Sequence, residues 1–331
     1  MTRRAVASID LYTGNGLRLK DARSTAVEAQ RAGFGGLWTL EAHTEPFLPL
    51  AIAAEHTDRL RLGTAVAVAL ARNPMVVAHL AHELQRFSGG RLDLGLGPQV
   101  SAHILRRFGE EFEHPAARMR EFVLALRAIW QCWNDDVALD FTGRFYRHTL
   151  MTPAFNPGPS GYAQPRVLLA AVGPLMTQVA CEVADGLVAH PLTSVLYANE
   201  VITPRVAGRA NTPFDVVCPV LVVTGETTSE LDAARLAVRK QIAFYASTPA
   251  YRPVLELHGH ERVADSLRAL SRQGEWDEMS ALVTDDLMHA FSVEAPVDGL
   301  AAALHDRFDG VLDRILVYAP YAVRNELWLG L

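Results

Sequence analysis

Short β-branched, apolar runs alternate along this chain with longer stretches in which apolar residues recur at helical spacing. Units of one strand and one helix around a parallel sheet give this pattern, because each strand is covered on both faces while each helix buries one stripe. Eight runs read as strands: Ala5–Tyr12, Gly36–Glu41, Leu60–Ala69, Arg91–Gly97, Val167–Val172, Gly186–His190, Val216–Val223 and Arg314–Tyr318. Between them, Ala22–Ala32 reads as a helix stopped by Gly33, and Pro46 is well placed to start the next. Pro74–Phe87 puts Val77, Leu80, Ala81 and Leu84 on one face and ends at Gly89-Gly90. Further helices are expected over Ala116–Trp133, from Pro174 onward, and over Val297–Phe308.

The expected fold is therefore α/β, a (β/α)8 TIM barrel forming a single domain over residues 1–331. Residues 225–294 form an insertion after strand seven, with helical patterns over Ser229–Ala246, Glu261–Arg272 and Trp276–Phe291. Placed after a strand, it emerges on the catalytic face as part of a lid. The loop Asn156–Gln164 precedes a strand and falls on the opposite face. A doubly wound sheet would need a glycine-rich turn after its first strand, and Asp10-Leu11-Tyr12-Thr13-Gly14 offers none.

Composition narrows the partners. Apolar residues make up 50% and charged residues 21%, enough for a large core and no basis for disorder. With a net charge of −6 and scattered Lys and Arg, no nucleic-acid partner is expected. Cys132, Cys181 and Cys218 have no C-x-x-C pairing, which suits a reducing compartment. After Arg3-Arg4 the apolar run is broken at Asp10, and no segment approaches ~20 consecutive apolar residues, so a cytoplasmic protein without a membrane partner is expected.

Candidate chemistry gathers at strand ends. Thr39 and Glu41 share one face, and Glu41 reaches the C-terminal edge where barrel enzymes place catalytic groups. His43 follows, giving a carboxylate and an imidazole suited to proton transfer, and Asp10 ends strand one in the same way. Each acid has the alternative of capping a helix or pairing with an arginine. The run Gly63–Ala71 stays small and apolar to its end, as a wall for something flat and apolar or simply as a buried strand. Strand four ends in Gly95-Leu96-Gly97-Pro98-Gln99, where missing side chains allow close approach to backbone. Ala170-Ala171-Val172-Gly173-Pro174 opens a helix whose first amides favour a phosphate. His103 and His190 complete the polar groups facing the same mouth. No His, Asp and Glu cluster has metal-ligand spacing, so no metal is expected, and His79 and His82 are placed on an exposed face or a subunit contact.

Taken together, Gly36-Leu37-Trp38-Thr39-Leu40-Glu41-Ala42-His43, Arg61–Val66, Ser88-Gly89-Gly90-Arg91-Leu92-Asp93-Leu94-Gly95-Leu96-Gly97 and Ala184-Asp185-Gly186 resemble the luciferase-like monooxygenase superfamily. Within it the chain is most similar to the branch using the deazaflavin coenzyme F420, through Pro98–His103, Arg106-Arg107-Phe108-Gly109 and Asp309–Arg314. The resemblance implies F420 as cofactor, with FMN the alternative, a small-molecule substrate and a homodimer. It implies that the strand-three end, Val66, Ala67 and Val68, bulges near Ala67-Val68 and backs the ring, often through a non-prolyl cis peptide. Gly97, Gln99, His103 and His190 join the cofactor site, and the turn Ala171, Val172, Gly173 and Pro174 takes the phosphate, with Arg72 or Arg106 adding charge. Hydride transfer follows, the proton handled by His43 or Glu41. An FMN-dependent monooxygenase and a cofactor-free binding protein are the rival readings. Some deazaflavin dehydrogenases carry Asp-His after strand two and an acid where this chain has Val100, so sugar oxidation is not implied.

Overall fold

A strand buried on both faces needs apolar residues without alternation, and Val216–Val223 is buried at every position. The computed structural model describes residues 7–209, 213–323 and 328. Its strands are β1 (Ser8–Thr13), β2 (Gly36–Thr39), β3 (Arg61–Thr64), β4 (Ala67–Val68), β5 (Leu92–Gly97), β6 (Phe141–Thr142), β7 (Arg147–His148), β8 (Arg166–Ala170), β9 (Gly186–Val188), β10 (Asp215–Val223), β11 (Ser292–Glu294) and β12 (Arg314–Tyr318). Eight of these, β1, β2, β3, β5, β8, β9, β10 and β12, are the expected core strands, and with the intervening helices they make the (β/α)8 barrel. Ala5 and Val6, the start of the first expected strand, lie outside the described residues.

The chain divides into two compact units. One comprises Gly16–Val27 and Leu37–Val188, with strand order β2-β3-β5-β8-β9. Its ladders are parallel, with Leu62 opposite Leu92, Leu94 opposite Val167 and Leu169 opposite Leu187. The expected third strand is split: β3 stops at Thr64, the Ala65-Val66 peptide is cis, and β4 resumes against the end of β5, Val68 opposite Gly97. Helices Pro74–Phe87 and Pro115–Asp135 cover the outside, where Trp130 Nε1 donates to the Ala78 carbonyl at 3.1 Å. His82 is not on an exposed face: it is buried, with its ring and that of His79 against Trp133. The connection to β8 contains an unexpected hairpin, β6 with β7, held by the Glu121 carboxylate, which accepts the backbone N–H groups of Arg144, Phe145 and Tyr146 at 2.6–2.9 Å.

The other unit comprises Met1–Asn15, Glu28–Gly36 and Ala189–Leu331. Here β12 lies between β1 and β10, all parallel, and β11 pairs with the end of β10. The insertion supplies helices Thr228–Ala246, Arg252–Leu257 and Glu261–Gln273, the first opened by a Thr227 and Glu230 capping box. Where one helix was expected over Trp276–Phe291, a short helix Trp276–Met279 runs into a 3-10 turn and ends at Val283, which turns extended; the Thr284 side chain then accepts Leu287 N–H and starts Asp285–Phe291 afresh. Among the described residues no helix is long and apolar enough to cross a membrane, and no group of three His, Cys, Asp or Glu is placed to hold a metal ion.

Candidate active site

Glu41, named with His43 as an expected proton carrier, is held in a tie, the arginine pairing that was its alternative. Glu41 is buried, and its Oε2 accepts both the backbone N–H of Val68 at 2.7 Å and Nη1 of Arg72 at 2.5 Å. Arg72 also donates to the Val68 carbonyl at 2.9 Å, so this pair clamps β4 from both of its peptide groups. The Glu41 carboxylate neutralises Arg72, which removes that arginine as the expected countercharge for an anion. The break in strand three lies at Ala65-Val66, two residues before the expected Ala67-Val68.

Beside this clamp lies a floor of small residues. A Cβ on Gly95 would stand 1.8 Å from the Thr64 carbonyl oxygen, whose residue also donates its hydroxyl to the Gly95 carbonyl at 2.6 Å. A Cβ on Gly97 would stand 2.7 Å from Val66 Cγ2 and 3.2 Å from Ala170 Cβ. Val66, half-buried, and Ala170 therefore meet over bare backbone, bringing together the ends of strands three, four and five. Ala67 and Val68 are fully covered, so of the three expected ring-facing residues Val66 has the open side chain.

Past β8, Ala171 is buried with its N–H on the Val188 carbonyl, Val172 is half-buried, and Gly173 and Pro174 are exposed. Gly173 caps the helix Pro174–Val183 in extended geometry, and a Cβ there would meet nothing within 4 Å. First-turn amides of an α-helix have no acceptor inside it, so this turn offers donors to an anion in open space.

His43 is exposed, one residue past Ala42, whose carbonyl accepts Arg107 Nη2. That bond joins the loop after β2 to the segment carrying Gln99, His103 and Arg106. Gln99 sits at φ +63° with its Oε1 on Val100 N–H at 3.0 Å, while His103, in the short helix Ser101–His103, and Arg106 are exposed.

Asp10 is a correction. It does not end its strand, which runs to Thr13, and it is fully buried between Ser8 Oγ at 2.7 Å and Arg314 Nη1 at 2.6 Å. Ser8 and Arg314 both open their strands, so Asp10 faces the N-terminal end, where barrel residues serve stability.

In the unit that contains it, His190 follows β9 with its ring stacked on Tyr251 at 3.8 Å and edge-on to Tyr245 at 4.5 Å. Its Nδ1 accepts the Leu192 N–H at 3.2 Å, and burial pushes the imidazole down to about 3. Sequence reasoning missed Tyr245 and Tyr251 beside it, and Tyr318 and Tyr12 beyond Tyr245. Tyr245 and Tyr251 lie in the insertion, whose helical spacing gives no sign that they turn toward His190.

The family description "luciferase-like monooxygenase" matches residues 5–314 of the chain. An uncharacterized protein of Mycobacterium tuberculosis is 52% identical over 305 residues, covering 90% of each chain. The 5,10-methylenetetrahydromethanopterin reductase of Archaeoglobus fulgidus is 26% identical over 305 residues, covering 88% of this chain and 87% of the other. The coenzyme F420-dependent tetrahydromethanopterin reductase of Methanopyrus kandleri shares the fold, with TM-score 0.77 at 19% identity over 98% of this chain and 97% of the other. The chain belongs to the luciferase-like monooxygenase family.

Proposed function

We propose that this protein transfers a hydride between coenzyme F420 and a small organic substrate. The observation that carries the reading is the bare floor of Gly95 and Gly97 under Val66 and Ala170, in the same unit as the open, amide-bearing turn at Gly173. A flat ring and an anionic tail need such a surface and such donors. In support, the structural neighbour named for coenzyme F420 shares the fold. When bound, the deazaflavin supplies a carbon that accepts or gives a hydride and activates oxygen poorly.

The residues divide the remaining work. Val66, with Ala67 and Val68 behind it, would back the ring, and Gly97 and Gln99 would border it. Gly173 and Pro174, with Ala171 and Val172 beneath, would take the phosphate, and His103 and Arg106, both exposed, would reach the polar tail. Arg72 is committed to Glu41, so proton transfer falls to His43, while Glu41 positions Val68. The resemblance further implies a cytoplasmic homodimer, which sedimentation of the full chain checks for mass.

A second reading, FMN-dependent oxygenation, draws on the family description itself. Reconstitution separates the two. Tight F420 binding with bleaching of the oxidised deazaflavin by a substrate or reductant supports the first reading. FMN binding with oxygen consumption replaces it, and failure to bind either cofactor leaves a binding protein.

A further inference from the structure

Five side chains from five separate segments converge in one unit: Tyr12 near the end of β1, Tyr318 ending β12, His190 after β9, Tyr245 on the helix Thr228–Ala246, and Tyr251 beyond it. Tyr12 and Tyr318 meet edge to face at 5.2 Å, and Tyr245 Oη donates to Tyr318 Oη at 3.5 Å. Both rings press on Gly14, where a Cβ would lie 2.3 Å from Tyr318 and 2.8 Å from Tyr12. Tyr245 and Tyr251 in turn hold the two sides of the His190 ring. The strand residues of this group lie at C-terminal ends, the face on which barrels act.

Every member of the group is neutral. Burial drives His190 down to about 3 and Tyr251 up to about 12, and it raises Tyr12, Tyr245 and Tyr318 as well. A backbone N–H can only donate, so the Leu192 bond makes Nδ1 of His190 the acceptor and places the ring proton on Nε2. Among the described residues that Nε2–H has no hydrogen-bond partner, and unlike Nε2 of the equally half-buried His148 it is not one of the sealed polar atoms, so the atom itself keeps some exposure. A donor fixed in tautomer, set in an aromatic wall and left open, is completed by an acceptor atom on a ligand. An anion there would lose its hydration without gaining a cation, whereas a carbonyl or hydroxyl oxygen on an apolar body would not.

We infer that His190 Nε2–H, flanked by Tyr245 and Tyr251, recognises the oxygen of an uncharged ketone or alcohol with an apolar body, and that this unit selects against carboxylates and phosphates. The inference goes beyond the proposed function and concerns a ligand of this unit alone. His190 then faces this ligand, where the resemblance placed it on the cofactor.

The test uses the full chain without cofactor, labelled with 15N histidine. Acetophenone, 1-phenylethanol, benzoate and phenyl phosphate are titrated while the His190 Nε2–H signal is followed. The ketone and the alcohol should shift that signal and bind at least ~10-fold more tightly than either anion. In His190→Phe, a shape-compatible variant that retains the stack, ketone affinity should drop about 3- to 12-fold, the weight of one neutral hydrogen bond. Equal or tighter binding of benzoate in the wild-type chain overturns the inference, whether or not the variant folds. So does a His190 signal that reports the Nδ1–H tautomer. An F420 titration run alongside keeps the two claims apart: ketone preference without F420 binding sinks the hydride-transfer reading alone, and F420 binding without ketone preference sinks this one alone.

Discussion

Glu41 and Arg72, 31 residues apart, share one bond of 2.5 Å, and the carboxylate oxygen that makes it also holds the backbone N–H of Val68. Removing one partner of a buried charge pair leaves the other uncompensated, which typically costs ~3–5 kcal/mol when burial is complete. Arg72 retains some exposure, so Glu41→Gln should destabilise the chain by less, about 1–3 kcal/mol, measured by denaturant unfolding. In a double-mutant cycle with Arg72→Met the two losses should fall well short of additive. Additive losses would show that the pair is not coupled.

His43 carries the proton in the proposed reaction and is exposed, so its replacement separates chemistry from stability. His43→Ala should lower turnover by at least ~10²-fold while changing stability by no more than ~0.5 kcal/mol. Normal turnover in the folded variant would move the role to His103.

At Gly173 a side chain has room, since a Cβ meets nothing within 4 Å. Gly173→Val should therefore leave the thermal midpoint nearly unchanged and weaken F420 binding at least ~10-fold by covering the helix amides. Gly97→Ala differs, because its Cβ runs into Val66 Cγ2 at 2.7 Å, and Val66→Ala on the same chain should recover part of the stability. Fluorescence titration and thermal melts together check both variants.

The pH dependence of stability has a defined sign. His190 titrates at about 3 in the fold against an ordinary 6.5, so between those values the unfolded chain binds a proton that the fold refuses. Its contribution is fully present above pH 6.5 and is lost as pH falls toward 3, and His82, His148 and His258 are shifted the same way. His190→Asn should flatten the acid limb by up to ~1.4 kcal/mol per pH unit, one proton's worth. An unchanged limb in chemical denaturation across that range would contradict the burial of a neutral ring.

Much of the fold was legible because its signals are local. The helix Val297–Phe308 and the strand Arg314–Tyr318 were read to the residue from apolar spacing, and Gly89-Gly90 stops a helix in the sequence as in space. The glycine floor was legible for a related reason: Gly95 and Gly97 are glycines because Thr64 and Val66 occupy the space a side chain would take. Tertiary structure alone decided how the charged and aromatic residues are used. Asp10 and Glu41 look alike at strand ends, yet Asp10 answers Arg314, 304 residues away, at the N-terminal end, while Glu41 clamps β4. The break in strand three came from the resemblance and falls at Ala65-Val66, two residues before the expected place, whereas the gathering of Tyr245 and Tyr251 around His190 was invisible. Backbone periodicity is fixed by neighbours three or four residues away, whereas a carboxylate or a ring takes its role from whichever distant group the folded chain sets within 3 to 5 Å of it.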